Sequence, residues 1–308
     1  MKFFQLIPSG TNINFIGKFK LFMILSTAAN ILVISGIVTK GFNYGIDFTG
    51  GTAFQVRFTE ARTAEQVRDT LTSMGDTDAS VVALGTTNTE YMITSRTDKS
   101  EQESLHKRFV DKIGPDNIHV QQVDIVGPKV GKELRTSALL SLIYSVLLIM
   151  VYIWFRFDAQ FAPGATVAMI HDIILSAGFY LLTGKEFTIT SIAALLTIAG
   201  YSVNDTIVIY DRVRELLKAG GDNFPLSQII NKAINQTLSR TMLTSFITLL
   251  SIVPLAFFCK GEIQSFAIAM ILGIFIGSYS TVYIAAPFTI LASKYVGKGS
   301  KKGRVVTA

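Results

Sequence analysis

The sequence predicts a polytopic α-helical membrane protein with six transmembrane helices and one α+β, ferredoxin-like extracytoplasmic domain. Three observations predict it. Six apolar runs are long enough to cross a bilayer. Basic residues gather at alternate ends of those runs. One long polar stretch, residues 40–135, alternates strand-like and helix-like patterns.

A spanning helix needs about 20 mostly apolar residues. Runs at 19–39, 136–155, 161–183, 188–210, 240–259 and 263–292 meet that demand. The last is long enough to tilt or to extend beyond the bilayer. Composition agrees: 49% of the 308 residues are hydrophobic and 16% charged, against about 25% charged in soluble domains. The first run is too long for a signal-peptide core and follows Lys18 and Lys20, so it reads as an uncleaved span.

Orientation follows from Lys and Arg beside the runs. Lys2, Lys18 and Lys20 precede the first, and Arg156 follows the second. Arg212, Arg214, Lys218, Lys232 and Arg240 lie between the fourth and fifth. Lys294, Lys298, Lys301, Lys302 and Arg304 follow the sixth. An even number of spans puts all of them on one side, which is then the cytoplasm. The opposite short loops carry only Lys185 and Lys260. This makes 1–18 a cytoplasmic N-terminus, 211–239 a cytoplasmic loop and 293–308 a cytoplasmic basic tail. The net charge of +6 belongs to these flanks, so no nucleic-acid partner is expected.

In the outer stretch, Thr52–Phe58, Ala79–Leu84, Tyr91–Ser95 and Asn117–Val126 read as strands. Thr63–Met74 places Val67 and Leu71 at helical spacing, and Ser100–Ile113 does so with Leu105, Phe109 and Ile113. The order βαββαβ is that of a ferredoxin-like domain. In the cytoplasmic segment, Gly220, Gly221 and Pro225 precede an amphipathic pattern of Leu226, Ile229, Ile230, Ala233 and Ile234. It reads either as a helix lying along the membrane surface or as a plain surface helix.

Two motifs stand out. Gly45-Ile46-Asp47-Phe48-Thr49-Gly50-Gly51-Thr52 follows the first span. It lacks the lysine and following helix of a phosphate-binding loop; its glycines permit a tight turn into the first outer strand. The second motif runs from Val203 through Asn204, Asp205, Asp211 and Arg212 to Glu215. Asp205 lies inside the fourth span, where an Asp costs about 2.5 to 3.5 kcal/mol on insertion scales. A residue that costly is paired, near water or functional. Asp211 and Arg212 mark the end of the span. Arg240 opens the fifth span at a similar depth, and either pairs with Asp205 or reaches out to lipid headgroups. Asp172, after His171, lies mid-span in the third. It either extends a polar path or hydrogen-bonds a neighbouring helix. Three scattered histidines and one cysteine, Cys259, offer no metal-ligand spacing, so no metal or cofactor is expected.

These motifs, the outer domain and the Asn235-Gln236-Thr237-Leu238-Ser239-Arg240-Thr241 opening of the fifth span, in this order, resemble the SecD/SecF family of protein-export subunits, a branch of the RND superfamily. The resemblance covers nearly the whole chain. It implies a SecD-like partner, completing twelve spans, and an accessory role beside the SecYEG translocon, with YajC and an unfolded preprotein substrate. It implies that a proton or sodium gradient drives late steps of export. The family's membrane aspartate falls on Asp205 and its arginine on Arg240. A small-molecule or lipid exporter of the same superfamily is the first rival, although such chains carry about twice as many spans. An intramembrane aspartyl protease would need Gly-x-Gly-Asp, whereas Tyr201-Ser202-Val203-Asn204 precedes Asp205; no enzyme is expected. A passive scaffold is the third rival.

Overall fold

The computed structural model describes residues 11–296 except 78, 86, 96–98, 158–159 and 221–223. Lys2, Gly221 and the tail from residue 297, with Lys298, Lys301, Lys302 and Arg304, lie outside the described residues. Among these residues, six helices are long and apolar enough to span a membrane: Ile16–Lys40, Pro128–Arg156, Ala162–Thr183, Ile189–Lys218, Leu226–Phe258 and Gly261–Lys294. They contain α1 (Phe19–Lys40), α5 (Pro128–Arg156), α6 (Ala162–Thr183), α7 (Ile189–Lys218), α8 (Leu226–Phe258) and α9 (Gly261–Ser280). After α9 the sixth span passes through a π-helical turn, Thr281–Ala285, into α10 (Ala286–Val296).

The helices divide into an inner and an outer set. In α6, α7 and the sixth span, 56% of the apolar stretch is buried; in α1, α5 and α8 the share is 6%, 6% and 11%. Leu21, Ile24 and Leu32 on α1, Leu148 on α5 and Phe246 and Leu250 on α8 are exposed, as a lipid-facing surface requires. Without a hydrophobic drive between helices in lipid, close backbone approach matters most. Gly273 and Gly277 supply it on α9. A Cβ on Gly273 would come within 2.4 Å of the Ile198 side chain, and one on Gly277 within 3.0 Å of Ser202 Cβ.

Several helices outrun the expected spans. The helix α5 starts at Pro128, so 128–135 belongs to the second span rather than to the outer domain. Polar residues after Tyr210 continue α7 to Lys218. The expected surface helix is corrected: Leu226 through Ile234 form the first turns of α8, continuous with the fifth span. Ile229, Ile230, Ala233 and Ile234 are buried in one core with Tyr210, Val213, Phe157 and Phe161, so their apolar stripe faces protein.

The α+β domain contains β1 (Gly51–Phe58), α3 (Ala64–Ser73), β2 (Ser80–Ala83), β3 (Glu90–Ser95), α4 (Lys99–Ile113) and β4 (Ile118–Val126). The sheet order β2-β3-β1-β4 is antiparallel throughout, the ferredoxin-like arrangement expected. Phe54, Val56, Tyr91 and Ile93 cover the sheet face beneath Val67, Leu71, Leu105 and Phe109. Thr63 and Gln66 form a capping box at the start of α3. A β-bulge between Gln55 and Val56 shifts the register against β4, which breaks the simple alternation expected there.

The two ends of the bundle are distinct. At one end the α+β domain docks. Glu90 hydrogen-bonds Arg57 within the domain and Lys260, just before α9. Thr94 Oγ1 donates to Glu186 Oε1 at 2.8 Å. At the other end, Arg156 pairs with Asp211 at 3.0 Å, and Arg212 donates to Gln236 Oε1 at 2.8 Å. Asn231 and Asn235 clamp the backbone at Ile13 and Phe15 in 2.8–3.0 Å hydrogen bonds. Helices that alternate in direction must gather these residues at one end.

Candidate functional site

The site is built on α7, the helix enclosed by α6, α8 and α9. Thr188 and Ser191 cap its start reciprocally. The first motif adds a second cap. Its four central residues form the short helix α2 (Ile46–Thr49), and Asp47 Oδ2 accepts the backbone N–H of Ile189 at 3.0 Å. A carboxylate suits the positive end of the helix dipole. Gly45 donates its N–H to Phe187 O at 3.0 Å, joining the motif to the same turn. Gly50 and Gly51 have φ of +74° and +138°. A Cβ on Gly51 would lie 2.3 Å from Ser95 O, and one on Gly50 2.7 Å from Pro128 Cα. The glycines thus press the start of β1 between β3 and α5, the tight turn expected of them.

Sixteen residues further along α7, about 24 Å at 1.5 Å per residue, lies Asp205. It is 4% exposed, and its Oδ2 is buried without a hydrogen-bond partner. Its neighbours on the buried face are Ser202, Thr206 and Tyr210. Thr206 Oγ1 lies 3.2 Å from Thr281 Oγ1, in the π-helical turn. Tyr210 Oη lies 2.7 Å from Thr289 Oγ1. Single π turns inside α-helices occur often at functional sites.

Asp172 on α6 is fully buried. Its Oδ2 accepts from Ser202 Oγ and, at 2.6 Å, from Ser280 Oγ; its Oδ1 lies 2.7 Å from His171 Nδ1. Of the two alternatives read for Asp172, the hydrogen bonds to neighbouring helices are present, and one of their donors, Ser202, lies one turn from Asp205 on α7. Three inner helices are tied at one carboxylate.

The other candidate residues are dispersed. Arg240 is exposed on α8 and forms no ion pair with Asp205 within 4.0 Å among the described residues; its charge reaches Asp205 only through space. Asn204 is exposed on α7. Asp211 pairs with Arg156 at the end of α5, and Arg212, paired with Glu215 on its own helix, donates to Gln236 of α8, so these two tie α7 to neighbouring helices. Sequence reasoning passed over Ser202, Ser280, Thr281 and the side chain of His171. One signal was present: Ser202, Asp205 and Thr206 recur at helical spacing in an apolar run.

A buried carboxylate with an oxygen that no other group engages can accept a proton or a small cation. The hydroxyl-rich surroundings supply neutral donors and acceptors and no fixed cation.

Known proteins bear on this arrangement. Residues 106–295 match the model of the family Protein export membrane protein SecD/SecF, C-terminal. Residues 35–61 match the SecD/SecF GG motif. The chain is 38% identical to the protein translocase subunit SecF of Calditerrivibrio nitroreducens over 295 residues, 94% of this chain and 97% of that one. It is 38% identical to the protein translocase subunit SecDF of Brucella abortus, covering 93% of this chain and 38% of that one. The crystal structure of SecDF from Thermus thermophilus superposes with a TM-score of 0.84 at 36% identity, over 93% of this chain and 39% of that one. The chain thus spans about two fifths of the SecDF proteins it matches and nearly all of SecF. It belongs to the SecD/SecF family of protein export membrane proteins.

Proposed function

We propose that this chain is the SecF-type accessory subunit of a Sec preprotein translocase, and that ion binding at Asp205 couples a proton or sodium gradient to late steps of export. The observation that carries the reading is the buried, unpartnered carboxyl oxygen of Asp205 on the helix at the centre of the bundle. A span that only holds the fold has no use for a group this costly to bury. Asp172, one hydrogen bond from Ser202, extends the same polar path, and Arg240 supplies a charge whose distance from Asp205 can change. The GG motif links this helix to the α+β domain through the Asp47 cap on α7, so movement of α7 is passed to the domain that meets the unfolded preprotein.

A SecD-type partner completes the bundle. Thr197 and Asn204 on α7 and Arg240 on α8 are exposed, and nothing lies within 4 Å of the place a Cβ would take on Gly200. Polar groups at this depth need a protein wall. The SecDF chains that this one matches over two fifths of their length contain the remainder in one polypeptide. In this reading the chain lies in the bacterial cytoplasmic membrane beside SecYEG, with YajC as a further companion. The end bearing Arg156, Arg212 and Arg214 faces the cytoplasm, and the α+β domain lies outside.

Export of a secreted precursor in cells carrying Asp205→Asn tests the proposal. The amide keeps the size of the side chain and removes the titratable charge. The expected result is loss of gradient-stimulated export with normal recovery of the partner. Normal export at normal expression would support a passive scaffold instead.

A further inference from the structure

The bundle holds one titratable ring that the reading above leaves unused. His171 is 6% exposed, between α6 and α9. Its Nδ1 faces Asp172 Oδ1 at 2.7 Å. Its Nε2 is buried and has no hydrogen-bond partner. The ring of Tyr279 lies beside it, tilted by 32° with centroids 6.3 Å apart. The Tyr279 hydroxyl is already engaged with Ser26 Oγ at 2.8 Å and with the carbonyl of Phe22 at 3.0 Å, both on α1.

The proton positions follow from counting donors. Ser202 and Ser280 each carry one hydroxyl proton. Ser202 Oγ donates to Asp172 Oδ2, and Ser280 Oγ reaches both that oxygen and the carbonyl of Gly277 at 3.1 Å, so Oδ2 acts as an acceptor at least of the Ser202 proton. With a donor from His171 on the other oxygen, Asp172 has the surroundings of an ionised carboxylate. Nδ1 then carries the imidazole proton, and the buried Nε2 presents a lone pair that no protein donor engages. A carboxylate that orients an imidazole in this way selects its tautomer and stabilises the imidazolium that forms on protonation.

We propose that His171 Nε2 is a proton-binding atom of the bundle, second to Asp205, with Asp172 as its positioning residue. A proton adds to the Nε2 lone pair, the imidazole becomes imidazolium, and the charge of the dyad changes from −1 to 0. No other bond breaks. The change is placed where it counts mechanically. Asp172 is tied through Ser202 to α7, one turn from Asp205, and through Ser280 to the residue preceding the π-helical turn. Among the described residues, the titratable groups within the packed elements are Tyr180 on α6, Tyr201, Asp205 and Tyr210 on α7, Tyr279 on α9 and Tyr283 in the π turn. The tyrosines of α5, Tyr144 and Tyr152, are exposed on the outside, α1 contributes Ser26 and α10 Thr289. The charged residues of these helices lie at their ends.

The inference extends the ion-coupling reading to a second group. Its test reads the histidine itself, so its failure would leave the Asp205 assignment standing. The chain has three histidines; His106→Gln with His119→Gln, both in the α+β domain, leaves His171 as the single imidazole. Nitrogen-15 resonances of the labelled full chain in lipid bilayers report which nitrogen carries hydrogen. The expected result is the Nδ1–H tautomer in the neutral ring and hydrogen on both nitrogens once the ring is protonated as pH is lowered. Asp172→Ala should abolish the Nδ1–H preference. An Nε2–H tautomer in the protein with Asp172 intact would overturn the proposal, because Asp172 would then hold the acid proton. So would an imidazole that never takes a second proton as pH is lowered. Retention of the Nδ1–H tautomer in Asp172→Ala would overturn the positioning role.

Discussion

Glu90 in the α+β domain and Asp205 in the helical bundle are each 4% exposed, yet their surroundings are opposite. Glu90 meets two cations, Arg57 from β1 and Lys260 from the bundle. Lys260 first, and Arg57 next, hold its carboxyl below the ordinary value of 4.5. Asp205 has no contact cation, and one of its oxygens has no partner. Burial alone therefore does not distinguish a structural carboxylate from the one proposed to bind an ion. What distinguishes them is whether the charge is satisfied. Glu90 joins two regions through both of its oxygens; Asp205 keeps one buried oxygen without a partner.

The largest expected effect falls on the α+β domain core. Phe109→Ala removes the ring packed at 5.7 Å from Phe54 and should destabilise the domain by about 3–5 kcal/mol. Thermal unfolding followed by a probe within the domain should show it, while the bundle is spared. Simultaneous melting of the bundle would break the division into two regions.

Glu90→Gln should have a middling effect, about 1–2 kcal/mol against domain docking at neutral pH, because both cations are roughly half exposed. The pH dependence has a definite sign. A lowered carboxyl value contributes stability that is present above 4.5 and is lost as pH falls through the lowered value. Proteolysis of the domain boundary should therefore separate wild type from Glu90→Gln at pH 7, and the difference should shrink as acid protonates Glu90. A difference that grows in acid would contradict the ion-pair account. Arg156→Ala should have the smallest effect, about 0.2–1 kcal/mol. Its pair with Asp211 is 41% and 40% exposed, and melting temperatures should barely differ.

The two regions also differ in how far the sequence revealed them. In the α+β domain, the patterns place every element within a residue or two: α3 buries one stripe, Val67 and Leu71, and β1 and β3, buried on both faces, stand out by apolar and β-branched residues between polar turns. The bulge at Gln55/Val56 was invisible, since it depends on the partner strand. In the bundle, hydropathy located all six spans but not their ends. Hydropathy measures the length that lies in hydrocarbon, whereas a helix with good formers such as Arg214, Glu215 and Leu216 continues into water. The amphipathic start of α8 looked like a surface element because its apolar stripe is satisfied by α7 and α5, a tertiary fact. Asp205 was legible through its cost in an apolar run. The tie between Asp172, Ser202 and Ser280 was not, because it joins three helices far apart in sequence.

The central claim is that Asp205 exchanges an ion during the cycle. Gradient-driven proton or sodium flux, measured in proteoliposomes containing the complex with its SecD-type partner, tests it most directly. The account predicts that Asp205→Asn abolishes the flux while the complex stays intact and Glu90→Gln leaves the flux unchanged. Wild-type flux from an intact Asp205→Asn complex would contradict it.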